Sequence, residues 1–268
     1  MRARFNRRAR EYDQHATIQL VMANRLVELI ERSRADASPV RRILEIGCGT
    51  GLLTKHVLAT YPQAHIRAVD IAEQMIRVAQ ARVRNEVQSR VAFVVADAEC
   101  MDLDDASFDL IVSNATVQWF NDPVSTIQRL LRSLTADGTL AFATFGPDTF
   151  FELHRSFECA AQRLEYPPLR RGQTYLSAQD WSHCSEALGH TVQIVDERRV
   201  LSFSTVRSFL ASVRSLGAAN ASESVSSYPG KSIFPVMEDC YRKSFSSGDR
   251  VLATYHILYV LFGRDVTG

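Results

Sequence analysis

The stretch Arg41-Arg42-Ile43-Leu44-Glu45-Ile46-Gly47-Cys48-Gly49-Thr50-Gly51 decides the reading of this chain. A short apolar run enters a glycine-rich bend, and a helical pattern starts straight after it. Some positions in a strand-to-helix bend need positive φ, which only glycine reaches cheaply. A side chain there would also keep a ligand off the backbone. The dinucleotide fingerprint G-x-G-x-x-G places its third glycine where this chain has Leu52. The pattern is instead E-x-G-x-G-x-G, with Glu45 inside the strand. It argues against a pyrophosphate cradle and fits a ligand whose amino-acid end lies along the bend, such as S-adenosylmethionine.

Three further strands carry ligand-type residues at their ends. Ala64–Asp70 ends in an acid suited to accept from both ribose hydroxyls, or to cap the next helix. Nicotinamide dinucleotide sites share that acid, so alone it does not choose the ligand. Val91–Ala98 ends at Asp97, whose carboxylate suits an adenine amino group, with the Ala98 N–H facing the ring; a turn-forming Asp is the plainer alternative. Phe108–Asn114 ends at Asn114. In an open α/β sheet the carboxyl edge is where ligands bind, and four such ends together are more specific than any one.

Around these strands, residues 14–34 show apolar positions at helical spacing, and residues 35–39 link them to the first strand. Strands at 42–46, 65–70, 91–96, 108–113 and 138–145 alternate with helices at 51–60, 73–88 and 123–134. Asp137-Gly138 marks a tight turn into the fifth strand. Such alternation predicts an α/β fold with a doubly wound, seven-stranded, mostly parallel sheet. Helices are expected at 149–164, at 178–188 with Ser177 as N-cap, and near 205–216 and 234–245. One domain is expected over 1–268: a helical cap at 1–39, a ligand-binding core at 40–146, lid insertions at 147–190 and 204–250, and final strands at 191–203 and 251–264, one antiparallel.

Composition bounds the function. Hydrophobic residues make up 46% of the chain, an ordinary share for a globular protein, and no apolar run nears the ~20 residues that span a bilayer. Net charge is +1, so attraction to an acidic partner is local, and nothing resembles a nucleic-acid module. The Arg-rich start resembles a transit peptide only until Glu11 and Asp13. The five cysteines are scattered without C-x-x-C spacing, which predicts no disulfide framework, no zinc site and a reducing, cytoplasmic setting. No His or carboxylate cluster suggests a metal.

EIGCGTG, AVDI, ADAE and FDLIVSNATVQW resemble, in order, motifs of the class I S-adenosylmethionine-dependent methyltransferases over roughly residues 40–146. The resemblance implies that Glu45, Gly47 and Gly49 line the methionine part, and that Asp70 and Ile71 hold ribose and adenine. It implies that Asp97 and Ala98 meet the adenine. Met75 covers the adenine face or simply fills the core; Asn114 and Gln19 complete the set. The product is S-adenosylhomocysteine.

The flanks narrow the family. Phe5…Ala9…Tyr12-Asp13…Ala16…Gln19, Ser212-Val213-Arg214-Ser215-Leu216-Gly217-Ala218 and Thr254-Tyr255-His256 resemble the malonyl-[acyl-carrier protein] O-methyltransferases of biotin synthesis, although Gly217-Ala218-Ala219 departs from their pattern. This implies esterification of the free carboxylate of a malonyl thioester on an acidic acyl carrier protein; a monomer is expected, and no metal. A carboxylate acceptor, with a reference pKa of about 4, needs no base. Arg214 becomes the clamp for it, since a guanidinium matches a carboxylate; on sequence alone it equally reads as a solvated helix residue. Tyr12 is set over the sulfonium or lies on the surface; Trp119 walls the acceptor pocket or plugs the core; Gln118 is a weaker candidate. His256 reads as structural. A basic rim for the carrier is sought among Arg7, Arg8, Arg10, Arg170, Arg171, Arg198, Arg199, Arg242 and Lys243. The rivals are a methyltransferase of a free small acid of aconitate type and a non-catalytic binding protein of the same fold.

Overall fold

The computed structural model describes residues 2–9, 13, 16–83, 88–167, 173–215 and 233–263. Helix α1 (Arg2–Arg8) and helix α2 (Thr17–Ser33) precede strand β1 (Arg42–Ile46). Then come α3 (Leu52–Thr60), β2 (His65–Asp70), α4 (Glu73–Val83), β3 (Val91–Val95), β4 (Phe108–Asn114) and α5 (Pro123–Arg132). The rest comprises β5 (Leu134–Phe145), α6 (Phe151–Arg163), α7 (Ala178–Leu188), β6 (Thr191–Phe203), α8 (Val206–Ser215), α9 (Ile233–Ser244), β7 (Ser246–Ser247) and β8 (Arg250–Gly263). None of the described helices is long and apolar enough to cross a membrane.

The strands form one sheet in the order β3-β2-β1-β4-β5-β8-β6, with the two-residue β7 beside β8 as an eighth strand that the sequence did not signal. β1 pairs in parallel with β2 and β4, so Ile46 faces Val69 on one side and Ser113 on the other. That register brings the turns after β1, β2 and β4 to one edge, at the point where strand order reverses and ligands bind. Ile43, Leu44, Glu45 and Ile46 are all buried, as expected of a strand covered on both faces. β8 runs against β6, because Thr191 meets Gly263 at one end while Arg250 meets Ser202 at the other.

Asp137-Gly138 is not a turn. Both residues lie inside β5, where the pairing slips between Phe108 opposite Leu134 and Leu110 opposite Thr139. Buried Arg34 holds this bulge, donating to Asp137 O at 2.9 Å and Thr139 Oγ1 at 2.7 Å.

The chain divides into two compact units: 1–144, 176–196 and 258–268; and 145–175 and 197–257. In the first, Leu44, Ile111, Phe142, Trp181 and Phe262 share one core. Helix α7 belongs there rather than to a lid insertion: Trp181 lies edge-on to Phe142, with ring centroids 4.9 Å apart. Ser177 and Asp180 form a reciprocal capping box at its start. In the second unit α6, α8 and α9 enclose Phe157, Phe209, Met237 and Tyr241. Cys159 of α6 and Cys240 of α9 form a disulfide, contrary to the expectation from spacing. They stand 81 residues apart, and only helix pairing joins them. A reducing compartment therefore does not follow from the cysteines.

Candidate functional site

Gly47 sits at φ +68°, and a Cβ there would run into the side chain of Thr116. Gly49 sits at φ +54° with open space where a Cβ would lie. The first glycine is demanded by the fold, the second leaves room beside the bend. Asp70 fixes this arrangement from β2. Its Oδ2 accepts from Gly49 N at 2.9 Å and its Oδ1 from Ala72 N at 2.8 Å. Burial raises its pKa, and the two N–H donors oppose that rise.

A cavity of about 540 Å³ opens against this bend. Of the residues expected from sequence, Gly47, Gly49, Asp70, Ile71, Met75, Asp97, Ala98, Asn114 and Trp119 line it. Glu45 does not; it is 1% exposed, at the end of β1. Neither of its carboxylate oxygens has a hydrogen-bond partner. Burial pushes its pKa up to about 7; Thr54 stands close enough to oppose this, but its hydroxyl makes no hydrogen bond. Gln19 is buried in α2, where its backbone oxygen accepts from Asn114 Nδ2 at 2.9 Å. Gln19 Oε1 and Asn114 Oδ1 are buried acceptors without a donor.

Gln118 is engaged within the fold, donating to Ala115 O at 2.7 Å and accepting from Thr144 Oγ1 at 3.1 Å. Tyr12 lies outside the described residues. Arg214 occupies the last turn of α8 in the second unit and is exposed, not buried as a clamp in a closed pocket would be. Of the basic residues proposed as a rim, Arg198 pairs with Asp148, Arg199 with Glu197, Arg242 with Glu238 and Lys243 with Asp239. Arg7 is exposed; Arg10, Arg170, Arg171 and the Arg8 side chain lie outside the description.

Sequence reasoning missed Phe5, Thr116, Glu99, Phe120 and Asn121, which also line the cavity. The N-terminal motif held part of the signal. Phe5 meets Trp119 edge-on at 6.0 Å, and Ala9 packs with Ala72 and Met75. Asn6 Oδ1 accepts from Gln74 N at 3.0 Å near the start of α4. Asp13 accepts from Thr50 and pairs with Arg82. Among the described residues, no three His, Cys, Asp or Glu side chains gather as a metal site.

Residues 44–142 match the family profile described as a methyltransferase domain. The chain is 40% identical over 262 residues to a malonyl-[acyl-carrier protein] O-methyltransferase of Halalkalibacterium halodurans, covering 96% of this chain and 95% of the relative. It is 38% identical over 266 residues to the protein of that name from Bacillus anthracis, covering 99% and 97%. Among solved structures it is similar to the YcgJ protein of Bacillus subtilis, with TM-score 0.60 and 18% identity over 90% of this chain and 99% of that one. It is also similar to phosphoethanolamine N-methyltransferase 2 of Haemonchus contortus, solved with S-adenosylhomocysteine, with TM-score 0.55 and 19% identity over 90% and 52%. These two likenesses concern the fold.

Proposed function

Since the chain belongs to the malonyl-[acyl-carrier protein] O-methyltransferases, a family of S-adenosylmethionine-dependent enzymes, we propose that it esterifies the free carboxylate of a malonyl thioester on acyl carrier protein. In the subgroup whose motifs it resembles, this reaction serves biotin synthesis. The observation that carries the reading is the cavity at the glycine bend, whose lining residue Asn114 holds a buried acceptor oxygen without a donor, as do Glu45 and Gln19, which lie outside that lining but join it through the strand before Gly47 and the Asn114 bond to Gln19 O. Buried acceptors without donors are rare in native folds. An α-ammonium group brings three N–H donors and a positive charge, so these residues fit the amino-acid end of the methyl donor. Asp70 retains lone pairs for ribose hydroxyls after its two backbone bonds. When bound, S-adenosylmethionine supplies an electrophilic methyl on a positively charged sulfur, which a carboxylate oxygen displaces in line.

The residues of the chain have the remaining tasks. The acceptor is already ionised at neutral pH, so the site must align it and exclude water rather than take its proton. Trp119 and Phe5 supply an aromatic wall. Gln118, fixed between Ala115 and Thr144, steadies the turn that presents Trp119. Arg214 is proposed as the carboxylate clamp. Its support is its place in the segment that resembles the subgroup, at the end of α8, with no ion-pair partner among the described residues. Tyr12 is proposed beside the sulfonium. Esterification removes a charge whose burial in later apolar pockets costs several kcal/mol.

The test is mass spectrometry of malonyl-carrier protein incubated with S-adenosylmethionine and the protein, with malonyl-coenzyme A, free malonate and aconitate in parallel. A gain of one methylene mass on the carrier thioester is expected. No gain on any substrate, despite donor binding by calorimetry, would leave a silent binding protein. Arg214→Ala is expected to abolish transfer and spare S-adenosylhomocysteine binding; equal loss of both removes Arg214 from the acceptor site.

A further inference from the structure

Glu99 joins two turns along one side of the cavity. Its backbone N–H donates to Asp97 Oδ1 at 2.9 Å. Its carboxylate receives the turn after β4: Asn121 N and Asp122 N reach Oε1 at 2.8 and 2.9 Å, and Asn121 Nδ2 reaches Oε2 at 2.8 Å. An ionised carboxylate only accepts, so the amide of Asn121 has one orientation, with its NH2 toward Glu99 and its carbonyl oxygen turned away. Asp97, Glu99 and Asn121 all line the cavity, and no Lys, Arg or His is among its described lining residues. One residue thus braces two acceptors, the Asp97 carboxylate and the Asn121 carbonyl. Phe120 adds apolar surface to the same lining.

The chemistry of this edge selects a group with two N–H donors. The exocyclic amine of a 6-aminopurine has two. A 6-oxopurine presents a carbonyl there, which meets both acceptors; Asp97 and Asn121 are exposed in the structure, and a bound base that takes them from water without offering a donor forfeits their hydrogen bonds. We propose that Asn121, together with Asp97, reads the two hydrogens of the donor's 6-amino group, and that Glu99 is the positioning residue that sets the Asn121 amide. This rests on the reading of the cavity as an adenosyl site. It makes Asn121 a determinant of donor specificity and gives the Glu99 carboxylate a task beyond holding a turn.

The test is equilibrium binding of S-adenosylhomocysteine and its 6-oxo analogue, S-inosylhomocysteine, to the full chain by calorimetry. The wild type is expected to prefer the amino ligand by roughly a hundredfold, about tenfold for each mismatched acceptor. Asn121→Ala should weaken the amino ligand about tenfold and leave the oxo ligand unchanged or tighter. Glu99→Gln is the sharper variant. Its carbonyl can keep the two backbone N–H groups, but its NH2 then faces Asn121 and turns that amide round. An N–H donor now faces the cavity, so the oxo ligand should gain while the amino ligand loses. A preference within threefold of wild type in both variants overturns the proposal, including the case where both ligands weaken alike because Glu99 only braces the turn. A wild-type protein that binds neither ligand overturns the adenosyl reading, and this inference with it.

Discussion

Thr50, inside the glycine bend, donates its hydroxyl to Asp13 at 2.7 Å. The other oxygen of Asp13 pairs with Arg82 of α4, so one carboxylate ties the N-terminal segment to two elements beside the cavity. Asp13 and Arg82 side chains are 36% and 24% exposed, which limits the worth of the ion pair. Asp13→Ala is expected to cost about 1–2 kcal/mol in urea unfolding, mostly from the Thr50 bond. It should weaken S-adenosylhomocysteine binding roughly tenfold, because Phe5 of the same segment lines the cavity. Asp13→Asn keeps an acceptor for Thr50 and should lose less of both. Unchanged affinity in the alanine variant would detach this segment from the donor site.

This tie was legible only as a motif. Asp13 stood in the sequence between Tyr12 and Gln14 with no local sign of its partners, because Thr50 and Arg82 come to it through the fold. The strands 42–46 and 65–70 were legible to the residue, since each is a largely apolar run bounded by turn formers or an acid. Ser177 was legible because capping chemistry is local. Asp137-Gly138 misled, as its turn propensity yields to Arg34, which arrives from more than a hundred residues away. Glu99 and Asn121 escaped notice for the same reason as Cys159 and Cys240: each pair meets only once helices and strands are stacked.

Gly47 and Gly49 should fail in different ways. Gly47→Ala sets a methyl against Thr116 at positive φ, and overlap plus strain should cost about 3 kcal/mol or more of stability. Trimming Thr116 to Ala in the same chain should recover part of that loss. Gly49→Ala meets nothing within 4 Å and should cost only about 1 kcal/mol of strain. Its methyl sits at a cavity-lining position, so the larger effect is expected in donor affinity. Thermal melts with and without S-adenosylhomocysteine separate the two; equal behaviour of both variants would refute the distinction.

The Cys159–Cys240 bridge closes a loop with a sequence separation of 81. By loop-closure entropy such a bridge is worth up to about 4.5 kcal/mol. Cys159→Ser should therefore lower the unfolding midpoint, and reductant should lower that of the wild type but not of the variant. Thiol titration of the unfolded, unreduced chain should count the three free cysteines, Cys48, Cys100 and Cys184, and all five after reduction. Five thiols before reduction would exclude the bridge.

Glu45 should give the protein a pH signature. Burial lifts its pKa to about 7, from the ordinary value near 4.5. Between those values the native protein holds a proton that the unfolded chain has released. Stability is then full below the unfolded value and falls as pH rises through the native one, by ~3 kcal/mol in all. Glu45→Gln removes the titrating group, so its stability should be flatter over that range and higher than wild type at pH 8. A cationic donor group near the carboxylate favours its ionised form and should release a proton on binding. Calorimetry of S-adenosylhomocysteine at pH 6 in two buffers of different ionisation enthalpy should show that release, and at pH 8, where Glu45 is already ionised, it should nearly vanish. If the Gln variant keeps the wild-type pH slope, some other group is responsible and Glu45 does not carry the charge that meets the donor.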